Sequence, residues 1–189
     1  MPTKTSSVRS APTTVRVERV DDRDEVDALI VEAFGDESVA RLVQLIRRSE
    51  HFVPELSLVA ERGGGVVGHV LLSTADLVTD AGRRPVLLLA PLAVRPSAQR
   101  TGVARLLVEA AVAAAERSAH QVVLLEGDPR LYSRFGFRPA TPIGIERPSD
   151  LIPDAGWQAY PLSRYDASLR GAVEYPSAFW ETGSVGPPS

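Results

Sequence analysis

The 189-residue chain is 44% hydrophobic and 24% charged, ordinary values for a folded domain with one sizeable core. Its formal net charge of −3, with both signs mixed along the sequence, excludes the basic stripe of a nucleic-acid binder, and the absence of cysteine excludes disulfides, thiolate catalysis and thiolate metal sites. The polar start lacks the apolar stretch of a signal peptide, and the longest apolar runs are too short to span a bilayer, so no membrane partner and a cytoplasmic location are expected.

Met1–Thr14, rich in Ser, Thr and Pro, and Gly183–Ser189, rich in Gly, Pro and Ser, read as loose tails around a single domain spanning 15–182. Val15–Val20 starts as a strand. Asp22-x-x-Glu25 has the spacing of a capping box, Val26, Leu29, Ile30, Ala33 and Phe34 share a helical face, and Gly35 suits a left-handed stop. A second helix is predicted over Val39–Arg48. Strands follow at Leu56–Glu61 and Val66–Val78, joined by the turn Arg62-Gly63-Gly64-Gly65. A turn at Asp80–Pro85 leads into Val86–Val94, whose near-continuous apolar run suits the centre of a sheet covered on both faces. Then come a helix from Gly102 to Ser118, a buried strand Gln121–Leu125, a short helix Pro129–Phe135, and strand-like pieces at Trp157–Leu162 and Gly171–Tyr175. This order predicts an α+β domain: a mixed, mainly antiparallel sheet flanked by helices, with one strand–helix–strand crossover in the middle.

The crossover carries the chemistry. Its strand ends at Leu92-Ala93-Val94, and Gln99-Arg100-Thr101-Gly102-Val103-Ala104 opens the next helix. A helix start leaves backbone N–H groups unpaired beside a partial positive charge, which suits a phosphate. Gly102 and Ala104 are small enough for close approach, and Arg100 and Arg105 flank them. The glycine pattern of a dinucleotide-binding strand–turn–helix is absent, as is a P-loop lysine.

An apolar strand followed by Gln99-x-x-Gly102-x-Ala104 and a long amphipathic helix resembles the acyl-CoA motif of the GNAT superfamily of N-acetyltransferases. Asp128-Pro129-Arg130-Leu131-Tyr132-Ser133-Arg134-Phe135-Gly136-Phe137 resembles that family's second signature, a tyrosine-bearing short helix. Gly171–Phe179 is similar to the end of a bacterial branch of predicted acetyltransferases. The resemblance covers roughly Val15–Phe179.

It implies that the central strand and the next one splay apart to admit the thioester arm of acetyl-CoA, the acyl donor, with no metal. Pro91, which cannot donate to a ladder, suits such a break, or else merely marks a bulge. The implied donor-binding set is Leu92, Ala93 and Val94 along the arm, one N–H polarising the thioester carbonyl, with Gln99, Arg100, Thr101, Gly102, Val103, Ala104 and Arg105 around the pyrophosphate.

Tyr132 matches the family's acid for the departing thiolate, or is a half-buried core aromatic. A phenol near pKa ~10 facing a thiolate near ~8.5 donates uphill by ~2 kcal/mol, so hydrogen bonding is its main expected role. Many relatives carry a glutamate on the central strand as base, and Val86–Val94 has none. Glu126, ending the neighbouring strand, is the substitute, or it is a solvated strand-end carboxylate. Asp128 caps the short helix. His69 faces the acceptor cleft or is a hydrogen-bonded core histidine. Glu32, Phe34 and Asp36 fall where the family forms part of the acceptor pocket; otherwise Glu32 is solvated and Phe34 is core. Trp157, Tyr175, Phe179 and Trp180 line the other wall, form a packing cluster, or cover a homodimer contact.

The expected function is direct acetyl transfer from acetyl-CoA to a primary amine of a small-molecule or peptide acceptor. The missing strand glutamate motivates an alternative, a non-catalytic acyl-CoA-binding sensor or partner module.

Overall fold

The computed structural model describes residues 11–186, so the expected tails Met1–Thr14 and Gly183–Ser189 lie outside the described residues only at 1–10 and 187–189. Strand β1 is Thr13–Val17, starting two residues before the predicted strand. After a 3-10 turn at Val20–Asp22 come helices α1 (Arg23–Phe34) and α2 (Glu37–Ile46). Strands β2 (Phe52–Arg62), β3 (Gly65–Thr79) and β4 (Gly82–Val94) form the meander, followed by α3 (Val103–Glu116) and β5 (Val122–Glu126). The last third holds α4 (Pro129–Tyr132), two-residue strands β6 (Arg138–Pro139) and β7 (Ile145–Glu146), β8 (Trp157–Pro161), β9 (Gly171–Glu174) and α5 (Ser177–Glu181).

All nine strands join one sheet, in the order β1-β2-β3-β4-β5-β8-β6, with β9 pairing both β3 and β7. The pairs β4–β5 and β7–β9 are parallel and the others antiparallel, as the mixed, mainly antiparallel expectation required. The core lies on both faces. One face packs Val59, Leu71, Leu88 and Leu124 against α1, α2 and Trp157, and the other packs Val70, Leu87, Val123 and Leu125 against α3, Tyr132 and Phe137.

Local chemistry explains where the elements depart from expectation. The β2–β3 hairpin turns on Gly63 and Gly64, both left-handed (φ 61° and 85°), as that turn's backbone twist demands. β2 begins at Phe52 rather than Leu56, with its register to β3 broken between Phe52 and Ser57, the stretch that contains Pro54. β4 begins four residues early because the β3–β4 turn needs only Asp80 and Ala81. Thr79 Oγ1 closes that turn, donating to Gly82 O (2.7 Å) and accepting from Ala81 N–H (3.2 Å).

Asp22 does not form the predicted capping box with Glu25. Its carboxylate is taken by Arg16 (2.6 and 2.9 Å) and by Arg19 N–H (2.7 Å), while Glu25 accepts from Val66 N–H (3.1 Å). The stretch from Gly183 to Gly186 is not the loose tail expected: Val185 is buried, and Gly186 N–H donates to Glu126 Oε2 (3.2 Å). The apolar Val185 side chain anchors a stretch whose Gly and Ser content alone suggests looseness.

A polar knot ties α1 and α2 to the sheet. Arg47 pairs with Glu18 and with Asp27 (2.6 Å), and Gln44 also donates to Asp27 (2.8 Å). Glu18 accepts from Ser57, whose hydroxyl lies 3.0 Å from His69 Nε2. Burial opposes ionisation of Glu18, but the His69 ring 3.7 Å away, the Ser57 hydroxyl and the Arg47 guanidinium overcome it and hold its pKa at about 2. A carboxylate whose pKa falls from 4.5 to about 2 on folding contributes about 3 kcal/mol above pH 4.5, lost as the pH drops toward 2. Urea unfolding between pH 2 and 7 should therefore show an acid-sensitive limb that Glu18→Gln flattens. Arg47→Ala, which leaves buried carboxylates unpaired, should cost about 3 kcal/mol or more at pH 7.

Candidate active site

The central parallel pair is short. β4 and β5 share only the registers Leu87↔Val123 and Leu88↔Leu124, although β4 runs on to Val94 and β5 to Glu126. On its other side β4 stays paired to β3 as far as Val94, through a bulge in which Ala90 and Pro91 together oppose Leu71. Both readings of Pro91 hold: it lies in a bulge, and pairing with β5 has already ended. Leu92, Ala93 and Val94 thus keep one paired edge and leave the edge facing β5 without a strand, which is a slot for an extended ligand.

Beyond that slot the chain turns into α3. Arg100 (φ 60°) and Gly102 (φ 91°) are both left-handed, and Gly102 is the N-cap. A Cβ built on Gly102 would meet nothing within 4 Å, so the space over the helix start is open. The first backbone bond into the helix runs from Leu106 N–H to Gly102 O (3.1 Å), leaving the N–H groups of Val103, Ala104 and Arg105 without an intrahelical acceptor.

Side chains shape this turn as well as flank it. Gln99 Nε2 donates back to Val94 O (3.2 Å), and Thr101 Oγ1 donates to Ala98 O (2.7 Å). Arg105 is exposed and paired with Glu109 (2.7 Å). Arg62, at the end of β2, donates to Thr101 Oγ1 (2.9 Å) and so brings a further cation to the turn. Sequence reasoning missed it, since forty residues separate it from the motif and only the hairpin brings the two together.

At the end of β5, Asp128 caps α4 by accepting from Arg130 N–H (2.9 Å), with Pro129 in the first turn, and left-handed Gly136 ends the following 3-10 turn. This fixes Tyr132, whose ring stands edge-on to Phe137 at 5.8 Å and presses against Gly127. Burial pushes its phenol up to about 12. Tyr132 belongs to the α3-side core cluster together with Leu92, Val94 and Val103, so donor slot, phosphate turn and phenol share one face.

Glu126 is half-buried, and burial raises its carboxyl above the usual range, partly offset by Gly186 N–H. Tyr175 is pushed up by its own burial and then by the Glu126 charge. Trp157, Tyr175 and Phe179 stack in sequence, with ring centroids 6.2 and 4.6 Å apart, and Trp157 and Phe179 are buried. Trp180 lies outward, half-exposed.

The remaining candidates do not converge. His69 is 0% exposed, with Nε2 on Ser57 and Nδ1 without a partner, so it is a core histidine and not part of a cleft. The cause is its register on β3, opposite Val59 and on the face covered by α1. Glu32 is bound to Arg95 (2.6 Å), which also donates to Val66 O (2.9 Å), and so braces α1 against the strand ends. Asp36 is the N-cap of α2 through Ser38 N–H (2.9 Å), and Phe34 is 47% exposed rather than core.

Splayed central strands before an open helix start, with a capped tyrosine helix after the next strand, define a class of acyl-transferring domain. The comparisons agree. An Acetyltransferase (GNAT) domain model matches residues 50–139. The uncharacterised N-acetyltransferase YjhQ of Escherichia coli is 30% identical over 155 residues, covering 80% of this chain and 86% of that protein. The crystal structure of the GNAT N-acetyltransferase YhbS from Escherichia coli in complex with CoA superposes with TM-score 0.81 at 30% identity, covering 90% of this chain and 93% of that one. A GNAT acetyltransferase from Brucella melitensis in complex with acetyl-CoA shares the fold, with TM-score 0.70 at 24% identity over 89% of this chain and 99% of that one. The chain belongs to the GNAT family of N-acetyltransferases.

Gly102→Ala tests the turn. A side chain at φ 91° costs about 1–2 kcal/mol and projects into the open space over the helix start. Calorimetry should show CoA binding weakened by about tenfold or more, with only a modest loss of thermal stability.

Proposed function

We propose that the protein transfers an acetyl group from acetyl-CoA directly to a primary amine of a small-molecule or peptide acceptor. One observation carries the reading: pairing between β4 and β5 stops at Leu88 and Leu124, opening a slot between a phosphate-ready helix start and Tyr132. The CoA complex of the similar YhbS supports the identity of the donor. We further infer a single catalytic domain running from β1 to the Val185 anchor, acting in the cytoplasm, where acetyl-CoA is available.

The donor, when bound, supplies an activated acetyl carbonyl and a thiolate leaving group. The unpaired N–H groups at the start of α3, with Arg100 and Arg62 nearby, neutralise its pyrophosphate. The free edge of Leu92–Val94 takes its amide-bearing arm as an added strand, and one of those N–H groups faces the carbonyl oxygen where negative charge develops. Tyr132 donates a hydrogen bond to the departing sulfur. With its pKa near 12, full proton transfer to a thiolate near ~8.5 lies uphill by about 5 kcal/mol, so the phenol stabilises the thiolate chiefly as a hydrogen-bond donor.

Glu126 accepts the proton of the attacking amine. Its raised pKa, caused by burial, makes it a better base than an ordinary carboxylate. Tyr175 and the aromatic stack behind it form the acceptor-side wall next to this carboxylate.

Thiol release from acetyl-CoA across a panel of primary amines tests the reading, and no release with any amine would refute it. Tyr132→Phe should lower kcat by ~100-fold with little change in acetyl-CoA affinity. A base must be ionised, so kcat/KM should rise as pH increases through the raised pKa of Glu126, and Glu126→Gln should remove that acidic limb.

A further inference from the structure

Gln158, on β8, is 0% exposed, yet only half of its amide is satisfied. Nε2 donates to Gly127 O (3.0 Å), while Oε1 has no partner among the described residues. A buried amide with an unpaired acceptor is destabilising, and a leucine or methionine of similar size would suit this place in the core better. The visible effect of the amide is to hold Gly127.

Gly127 is gripped at both backbone groups, since its N–H also donates to Gly156 O (3.0 Å). Its missing side chain matters too: a Cβ there would lie 2.8 Å from Tyr132 Cδ2, inside van der Waals contact. The ring of Tyr132 therefore rests on bare backbone, with Phe137 edge-on beside it. Gly127 is the first residue beyond β5, where no ladder pairing would otherwise fix it.

We propose that Gln158 is a positioning residue for acetyl transfer: by clamping the carbonyl of Gly127 it fixes the platform that aims the Tyr132 hydroxyl at the donor's sulfur. The inference rests on the proposed role of Tyr132. Gln158 touches neither donor nor acceptor and acts through Gly127 alone. Without the clamp the Gly127 carbonyl loses its side-chain anchor while its N–H stays on Gly156 O, and the phenol loses its fixed direction while the pyrophosphate turn, on the far side of the slot, is untouched.

The test reads the sulfur without turnover. Calorimetry at pH 9, where a thiol of pKa ~8.5 is largely ionised, compares CoA with desulfo-CoA. The native protein should prefer CoA by about tenfold, the strength of one hydrogen bond to a charged partner. Tyr132→Phe should abolish the preference. Gln158→Leu, Gln158→Met and Gly127→Ala should each cut it to twofold or less, with desulfo-CoA affinity unchanged. Each should also add nothing when combined with Tyr132→Phe. Gly127→Ala acts from the opposite side of the contact, so poor folding of a Gln158 variant does not remove the test. Retention of the preference in Gln158→Leu and Gln158→Met, while Tyr132→Phe loses it, overturns the role of Gln158 whatever Gly127→Ala does, because that variant also meets the Tyr132 ring directly, and leaves Tyr132 standing. No preference in the native protein, or its survival in Tyr132→Phe, overturns the reading of Tyr132 and this inference with it.

Discussion

Everything functional in this domain depends on one parallel strand pair that stops early. A sheet gains by pairing every N–H and C=O in reach, yet β4 and β5 share two register positions and then diverge. The divergence is sustained from both sides. Ala90 and Pro91 bulge β4 against β3, changing its course where pairing with β5 would continue, and β5 keeps a full five-residue ladder with β8. Each strand is anchored by its outer neighbour, so the gap stays open without collapsing. Slot, phosphate turn and phenol are its three margins.

The two faces of the sheet use their buried polar groups differently. On the face covered by α1 and α2, the buried charges are paired: Arg47 holds Glu18 and Asp27, and Ser57 links Glu18 to His69, while Arg47 Nε and His69 Nδ1 have no partner among the described residues. On the α3 face around the slot, the core is apolar apart from the phenol of Tyr132 and the amide of Gln158. Arg95 bridges the divisions, joining Glu32 on α1 to the strand ends that lead into the phosphate turn. Buried polar groups thus occur in two settings. In one they tie helices to the sheet, and in the other they gather around Gly127 at the end of β5.

How far each part was legible in the sequence follows from how local its causes are. The phosphate turn was legible because Gly102 carries its own backbone requirement, and the tyrosine helix because Asp128, Pro129 and Gly136 are local caps and stops. The meander and the crossover follow from hydrophobic period and glycine turns. What escaped is set by register between distant strands. The face on which His69 falls depends on its pairing with Val59, and a one-residue slip would reverse it. The capping box at Asp22 failed because Arg16, on another element, competes for the same carboxylate. Arg62, Gly127 and Gln158 bear no motif, and their roles exist only once hairpin and sheet have closed. The GNAT resemblance supplied the donor slot, which no periodicity in the chain announces.

The grip of β8 on Gly127 also bears on the order in which the molecule can be made. A ribosome releases β5 and the tyrosine helix well before β8, whose Gln158 lies 31 residues beyond Gly127. Until β8 emerges, β5 is the outermost strand of the nascent sheet, with a bare apolar edge and no support beneath the phenol. The phosphate turn and the α3 face are already synthesised by then. A growing chain can therefore assemble the half around α3 first, and the half around Tyr132 is completed only as the last third of the polypeptide docks.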